Sequence, residues 1–189
     1  MLYVLAASVG LLFGGAVEQL GGLPFAPWAW TTSQLSAPWL LLPFAFGTAA
    51  QRAAKAAALG LTVTLCGLVG YVLMLSGAAG HSPHGLTPSV VLHEARTQAP
   101  WFVAGSVSGP LYGVLGQRWR CFRWWPSALL AAGALALEPV ALVAVGRTFG
   151  PSQVYIAESA AGLALGAWFV TCTRRRVRAA RTPTQADVG

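Results

Sequence analysis

Charged residues are scarce in this chain. Of its 189 residues, 9% are charged and five are acidic, whereas a soluble domain normally carries about 25% charged residues. The single aspartate is Asp187, which excludes an aspartate-rich site for metal-bound diphosphates. Cysteine is scarce too: Cys66, Cys121 and Cys172 lie far apart and form neither a disulfide framework nor a zinc motif. The composition therefore excludes an ordinary soluble enzyme.

Long apolar runs take the place of charge. Hydrophobic residues make up 56% of the chain, and apolar segments close to the roughly 20 residues that cross a bilayer recur along it. We predict an all-α, polytopic membrane bundle in the plasma (inner) membrane. A single domain covers 1–173, and a basic cytoplasmic tail over 174–189 is predicted to be disordered. The six predicted transmembrane helices are 2–20, 37–51, 56–77, 99–116, 125–146 and 153–172.

Basic residues give the expected orientation of these helices. With the N-terminus inside, ten of the twelve Lys and Arg residues fall on the cytoplasmic side, as the positive-inside rule requires. Arg96 and Arg147 are the two left outside. Both termini are therefore predicted to be cytoplasmic. Contact with anionic membrane lipids explains the basic tail, and we expect no nucleic-acid partner.

Three of the five acidic residues lie inside predicted membrane spans: Glu18, Glu138 and Glu158. A charged side chain at the centre of a membrane helix costs roughly 2.5–3.5 kcal/mol on insertion scales, so such residues are usually functional. Small residues recur at helical spacing before or after each glutamate, as in Gly10, Gly14 and Glu18. Because residues four apart share a helix face, the glutamates are predicted to face protein rather than lipid.

The predicted topology places all three glutamates in the outer half of the bilayer. We therefore expect one polar chamber. It is covered by the interfacial or re-entrant segment 21–36 and by the third loop, which connects the third predicted span to the fourth. A protonated carboxyl there can donate a proton and an ionised partner can accept one, which is how paired acids divide acid–base roles. Glu138, Glu158 and Glu18 are the predicted catalytic residues. A purely structural alternative remains, in which each glutamate bonds a Ser, Thr or backbone carbonyl of a neighbouring helix.

Aromatic side chains gather near the predicted outer ends of the spans. As a group they can line a substrate pocket whose π faces stabilise a cation; an aromatic belt at the membrane interface explains each one singly. The predicted substrate-binding residues are Trp28, Trp30, Trp39, Trp101, Phe102 and Tyr155.

The three histidines, His81, His84 and His93, fall in the third predicted loop. The surrounding Gly, Pro and Ser residues favour a surface loop over a metal site, which needs ligands held rigidly. No nucleotide-binding loop, nucleophile elbow or dinucleotide fingerprint is present. We predict no metal and no cofactor.

Several stretches resemble small actinobacterial integral membrane proteins: SAPWLLLPFAFGTAA, GPLYGVLGQRWR, ALALEPVAL and YIAESAAGLALG. Proteins of this build in bacterial drimentine and indole-terpenoid pathways act as membrane-bound terpene cyclases, reminiscent of the fungal meroterpenoid cyclases. The resemblance implies an acid-initiated cyclase acting on a lipophilic prenylated indole or diketopiperazine. A small transporter or substrate-capture subunit is the alternative, since intramembrane glutamates also serve ion and proton pathways. The sequence leaves the oligomeric state open.

Overall fold

The computed structural model describes residues 1–23, 35–78, 87–122, 124–144, 146 and 151–181, with side chains of the last range described as far as Cys172. Its regular structure within these ranges consists of seven helices and no strands. The helices are α1 (Leu2–Gly21), α2 (Ala37–Thr48), α3 (Ala53–Ala78), α4 (Pro88–Thr97), α5 (Ala99–Phe122), α6 (Trp125–Ala144) and α7 (Ser152–Arg181).

Four of the described helices are long and apolar enough to cross a membrane: α1, α3, α6 and the Ser152–Cys172 part of α7. Helix α2 is apolar but has only 12 residues. Helix α5 has 24 residues, among them Gly, Ser, Pro, Gln and Arg, which make it more polar than α1, α3 and α6. The all-helical prediction is confirmed for the described residues, and four helices meet the requirements for a membrane span.

Each predicted span corresponds to a helix, with differences at the ends. Helix α2 ends at Thr48 rather than at residue 51, and α5 continues to Phe122, six residues beyond the predicted end at 116. Helix α7 continues to Arg181, through the basic residues for which the sequence predicts a disordered tail; 182–189 lie outside the described residues.

Helix α4 lies in the third predicted loop, where no helix is predicted, and none of its residues is buried. Thr87 has extended backbone angles and Pro88 occupies the first helical turn. Proline is favoured there because its fixed φ suits a helix and its missing N–H needs no partner. The neighbouring Gly and Pro residues concealed this start signal in the sequence.

Backbone contacts hold α1 against α3. A Cβ added at Gly14 would overlap the carbonyl oxygen of Gly67, and one at Gly10 would overlap that of Val63. Close approach of this kind is what small residues at four-residue spacing allow in membranes. The predicted protein-facing side of α1 is therefore confirmed at Gly10 and Gly14, which are both buried.

The opposite neighbour of α3 is α5, and the contact is again between backbones. A Cβ at Gly60 would overlap the carbonyl oxygen of Gly109, and one at Gly113 would overlap that of Ala56. Helix α2 packs on α5 in the same way, through Gly47 and Gly113. Helices α2, α3 and α5 thus form one closely packed group.

Helices α6 and α7 pack against each other and join this group through an apolar cluster. Its buried members are Phe44, Leu115, Ala128, Ala131, Ala132 and Phe169. A Cβ at Gly162 of α7 would meet Ala136 of α6 at 2.5 Å or more, so these helices also approach closely. This packing brings the middle of α6 beside the start of α2.

Candidate ligand cavity and its carboxylates

A cavity of about 340 Å³ lies between α2, α3 and α5, within the 300–1,000 Å³ range that is typical of small-molecule sites. Apolar side chains make up most of its wall: Leu35, Trp39, Leu40, Leu68, Val72 and Trp101. Polar side chains also line it: Ser36, Thr64, Tyr71, Gln98 and Ser108. A mainly apolar wall with a few polar groups suits a lipophilic ligand that also carries a polar group.

Helical spacing explains how the chain builds this wall. On α3, Thr64, Leu68 and Tyr71 follow one another at intervals of four and three residues, which places them on one face. On α5, Trp101 and Ser108 are seven residues apart and also share a face. Gly105 between them is buried, and a Cβ there would meet Thr64 and Leu68 at 3.0 Å. The small residue therefore leaves room where α5 passes α3.

The start of α2 is bound to α6 by the Glu138 carboxylate. The backbone N–H and the hydroxyl of Ser36 each donate to Oε1 over 2.6 Å, and the backbone N–H of Ala37 donates to Oε2 over 2.7 Å. The first N–H groups of a helix lack partners within the helix, and a carboxylate there is favoured by the helix dipole. Pro38, the next residue, has no N–H to satisfy. Glu138 therefore caps α2.

Glu158 of α7 lies beside this cap. Its side chain is 7% exposed and is within hydrogen-bonding reach of the Glu138 carboxyl. Neither of its carboxyl oxygens has a donor among the described residues. The structure thus brings Glu138 and Glu158 together, although they lie on different helices.

Glu18 occupies a different place. Its carboxylate is within hydrogen-bonding reach of the Tyr71 hydroxyl on α3, and Tyr71 lines the cavity. The predicted single chamber containing all three carboxylates is therefore not what the structure shows. No glutamate lines the cavity among the described residues. Instead, the Ser36 hydroxyl lies between Glu138 and the cavity, and the Tyr71 hydroxyl lies between Glu18 and the cavity.

Two of the six aromatic residues predicted to bind substrate are found at the cavity. Trp39 and Trp101 line the cavity. Trp39 also packs edge-on against Phe13 and Tyr71, with ring centroids 5.0 and 6.3 Å apart. Trp101 lies at the rim, since it lines the cavity yet is 60% exposed.

Two other predicted aromatic residues lie elsewhere. Phe102 is half-buried beside Trp101 and does not line the cavity, and Tyr155 is buried on α7 one turn before Glu158. Trp28 and Trp30 lie outside the described residues, as do His81 and His84. His93 is exposed on α4.

Sequence reasoning missed the hydroxyl groups that connect the glutamates to the cavity. Ser36 carries a usable signal, because a serine directly before Ala-Pro and an apolar run is typical of a helix start. Tyr71 and Thr64 carry a weaker signal, namely polar side chains spaced along one face of an apolar helix. Thr64 is 6% exposed, and its hydroxyl oxygen has no hydrogen-bond partner among the described residues.

The sequence matches no protein-family model and no curated protein, and no solved structure matches it either.

Proposed function

We propose that this protein spans the membrane six times and binds a lipophilic small molecule in the cavity between α2, α3 and α5. Four described helices have the length and composition of membrane spans, and the contacts of α2 and α5 with α3 place these two helices in the same bundle. The distribution of basic residues supports cytoplasmic termini. We place the protein in the plasma (inner) membrane.

The observation that carries the proposal is the cavity itself. Its volume of about 340 Å³, its tryptophan walls and its inward hydroxyl groups fit the general form of a small-molecule site. An ordinary packing defect is lined by apolar groups alone, whereas five lining side chains here are polar. A lipophilic prenylated molecule suits such a lining and can enter from the surrounding lipid.

The enzymatic form of this proposal is an acid-initiated terpene cyclase, as the sequence resemblance implies. Glu158 passes its proton to Glu138; the protonated Glu138 then donates to the Ser36 oxygen, and Ser36, which borders the cavity, gives its own proton to the substrate. Protonation of an alkene or epoxide of the substrate creates a cation that closes the ring. The cyclic cation then loses one proton to the Tyr71 oxygen, which passes its own proton to Glu18. Glu18 releases this proton to solvent and Glu158 takes one up before the next turnover. The product is an isomer of the substrate, and no cofactor takes part.

The second candidate is a transporter or substrate-capture subunit. It is favoured by one specific observation: the described lining side chains are all neutral, and Glu138 and Glu18 are each separated from the cavity by a hydroxyl group. Binding without chemical change needs no carboxyl in contact with the ligand. Both candidates share the cavity and differ in whether the bound molecule reacts.

The experiment that separates them uses purified protein in detergent and a prenylated indole substrate, followed by chromatography and mass spectrometry. A cyclase gives a cyclic product of unchanged mass. Glu158→Gln should abolish this conversion and leave ligand binding intact, because the amide keeps the size of the side chain but cannot supply the proton. Glu94→Gln, on α4, serves as the matched control and should turn over normally.

Two other outcomes are informative. Binding or uptake of the ligand without a product would support the capture or transport function and overturn the cyclase. Full turnover by Glu158→Gln, Glu138→Gln and Glu18→Gln would remove acid catalysis by these residues.

A further inference from the structure

The polar wall of the cavity contains two hydroxyl groups that are each paired with a carboxylate. Ser36 Oγ donates to Glu138 over 2.6 Å on the α2 side. On the α3 side, the Tyr71 hydroxyl is within hydrogen-bonding reach of Glu18. Both Ser36 and Tyr71 line the cavity, so it has a carboxylate-backed hydroxyl on each of two walls.

This pairing fixes what the two hydroxyl groups offer to a ligand. A hydroxyl has one proton to donate and lone pairs that accept. Because a carboxylate can only accept, the hydroxyl proton points toward it, and the lone pairs of the oxygen remain for the cavity. While Glu138 and Glu18 are ionised, Ser36 and Tyr71 therefore act as acceptors toward a bound molecule. Thr64, Gln98 and Ser108 can donate or accept, so they do not discriminate between ligands that donate and ligands that accept a hydrogen bond.

The electrostatic surroundings favour the same kind of ligand. Glu138 accepts three hydrogen bonds at the start of α2, an arrangement that suits an ionised carboxylate. The rings of Trp39, Tyr71 and Trp101 line the cavity, and aromatic faces attract cations.

Resting on the proposed ligand-binding function, we infer that the cavity selects lipophilic molecules that carry a hydrogen-bond donor with positive charge, such as a protonated amine, over those that carry a carboxylate. The apolar part of the ligand lies against Leu68 and Val72, and its donor group lies between the Ser36 and Tyr71 oxygens. A carboxylate in this position meets lone pairs instead of protons.

A matched set of three probes tests the inference: phenylbutylamine, phenylbutanol and phenylbutyrate, titrated calorimetrically into the full-length protein in detergent at neutral pH. They share one apolar part and differ in the head group. The amine should bind most tightly and the carboxylate at least about tenfold more weakly, since one hydrogen bond to a charged group is worth about a factor of ten or more. Titration into protein-free micelles gives the partitioning of each probe, which is subtracted.

Two substitutions examine the acceptor role directly. Tyr71→Phe keeps the ring and removes the oxygen, so amine affinity should fall about tenfold, whereas Tyr112→Phe, a tyrosine outside the cavity lining, should leave it unchanged. Glu18→Gln lets Tyr71 turn its proton toward the cavity. This variant should narrow the preference for the amine over the carboxylate, an effect that mere destabilisation would not produce.

The control for the cavity is Ala104→Phe, which introduces a ring from an exposed lining position on α5. If no probe binds the wild type, or if binding survives Ala104→Phe, the proposed ligand-binding function fails. If all three probes bind equally and Ala104→Phe abolishes their binding, the cavity is a binding site and the inference about charge is wrong.

Discussion

Ser36 gives both of its hydrogen-bond donors to one carboxylate oxygen of Glu138, each over 2.6 Å. A residue 102 positions later in the chain thus caps the helix that Ser36 begins. The serine hydroxyl does not cap its own helix, because it is already bonded to the glutamate. One side chain therefore both fixes the start of α2 and orients a hydroxyl group at the cavity wall.

Glu138→Gln should destabilise the protein by about 1–3 kcal/mol, the range for losing a helix cap and a charge-assisted hydrogen bond. The amide replaces one acceptor oxygen with a donor that faces backbone N–H or hydroxyl groups. Thermal unfolding in detergent, followed by circular dichroism, measures the effect. Glu94→Gln is the control and should unfold near the wild-type temperature. Equal stability of the two variants would contradict the capping role of Glu138.

Gly14→Ala should separate α1 from α3 and cost about 1–3 kcal/mol, as overpacking does. The new methyl group would overlap the backbone of Gly67 and lie 2.9 Å from the Tyr71 nitrogen. Gly15→Ala is the matched control, because its methyl group would find its nearest atom at 3.7 Å and alanine favours helix. In thermal unfolding followed by circular dichroism, Gly15→Ala should have a higher unfolding temperature than Gly14→Ala. The reverse order would refute this packing of α1 on α3.

Thr64→Val should raise the stability of the ligand-free protein by about 1 kcal/mol, since a buried hydroxyl without a partner costs free energy that a methyl group avoids. Thr62→Val is the control, because the Thr62 hydroxyl donates to the Ala58 carbonyl over 2.8 Å. That variant should gain nothing. Destabilisation by Thr64→Val would mean that the hydroxyl has a partner after all, and the unfolding temperatures decide between these outcomes.

The topology predicts which sites a membrane-impermeant maleimide can reach in intact cells. In a chain whose three cysteines are replaced by serine, Arg96→Cys should be labelled from outside. Arg52→Cys should be labelled only after the membrane is opened. If Arg52→Cys is labelled from outside and Arg96→Cys is not, the orientation is the reverse of the predicted one. If both are labelled from outside, the six-span topology is ruled out.

Much of the helical arrangement follows from the sequence because the bilayer leaves few alternatives. Backbone polar groups in hydrocarbon must be bonded within the segment, so a long apolar run forms a helix. The four-residue spacing of Gly10 and Gly14 likewise reveals the face that meets α3. Helix α4 was not predicted because it is short and polar, so that its composition resembles that of a loop.

The site was predictable in part. Small residues on the same faces as Glu138 and Glu158 indicated that both carboxyls point into protein, and the structure brings them together. Their hydrogen-bond partners depend on how α2 meets α6, a contact between segments about a hundred residues apart. No local pattern encodes that contact. The structural alternative noted for each glutamate, a bond to a serine of another helix, is what Glu138 makes.

Helix α3 touches α1 and α5 through backbone atoms rather than through flexible side chains. Two walls of the cavity therefore belong to a frame that cannot readily widen or slide. A ligand that fits pays little conformational entropy to order its surroundings, which is the advantage of a preorganised site. The same stiffness sets an upper limit on ligand bulk, so one ring too many should prevent entry altogether rather than merely weaken it.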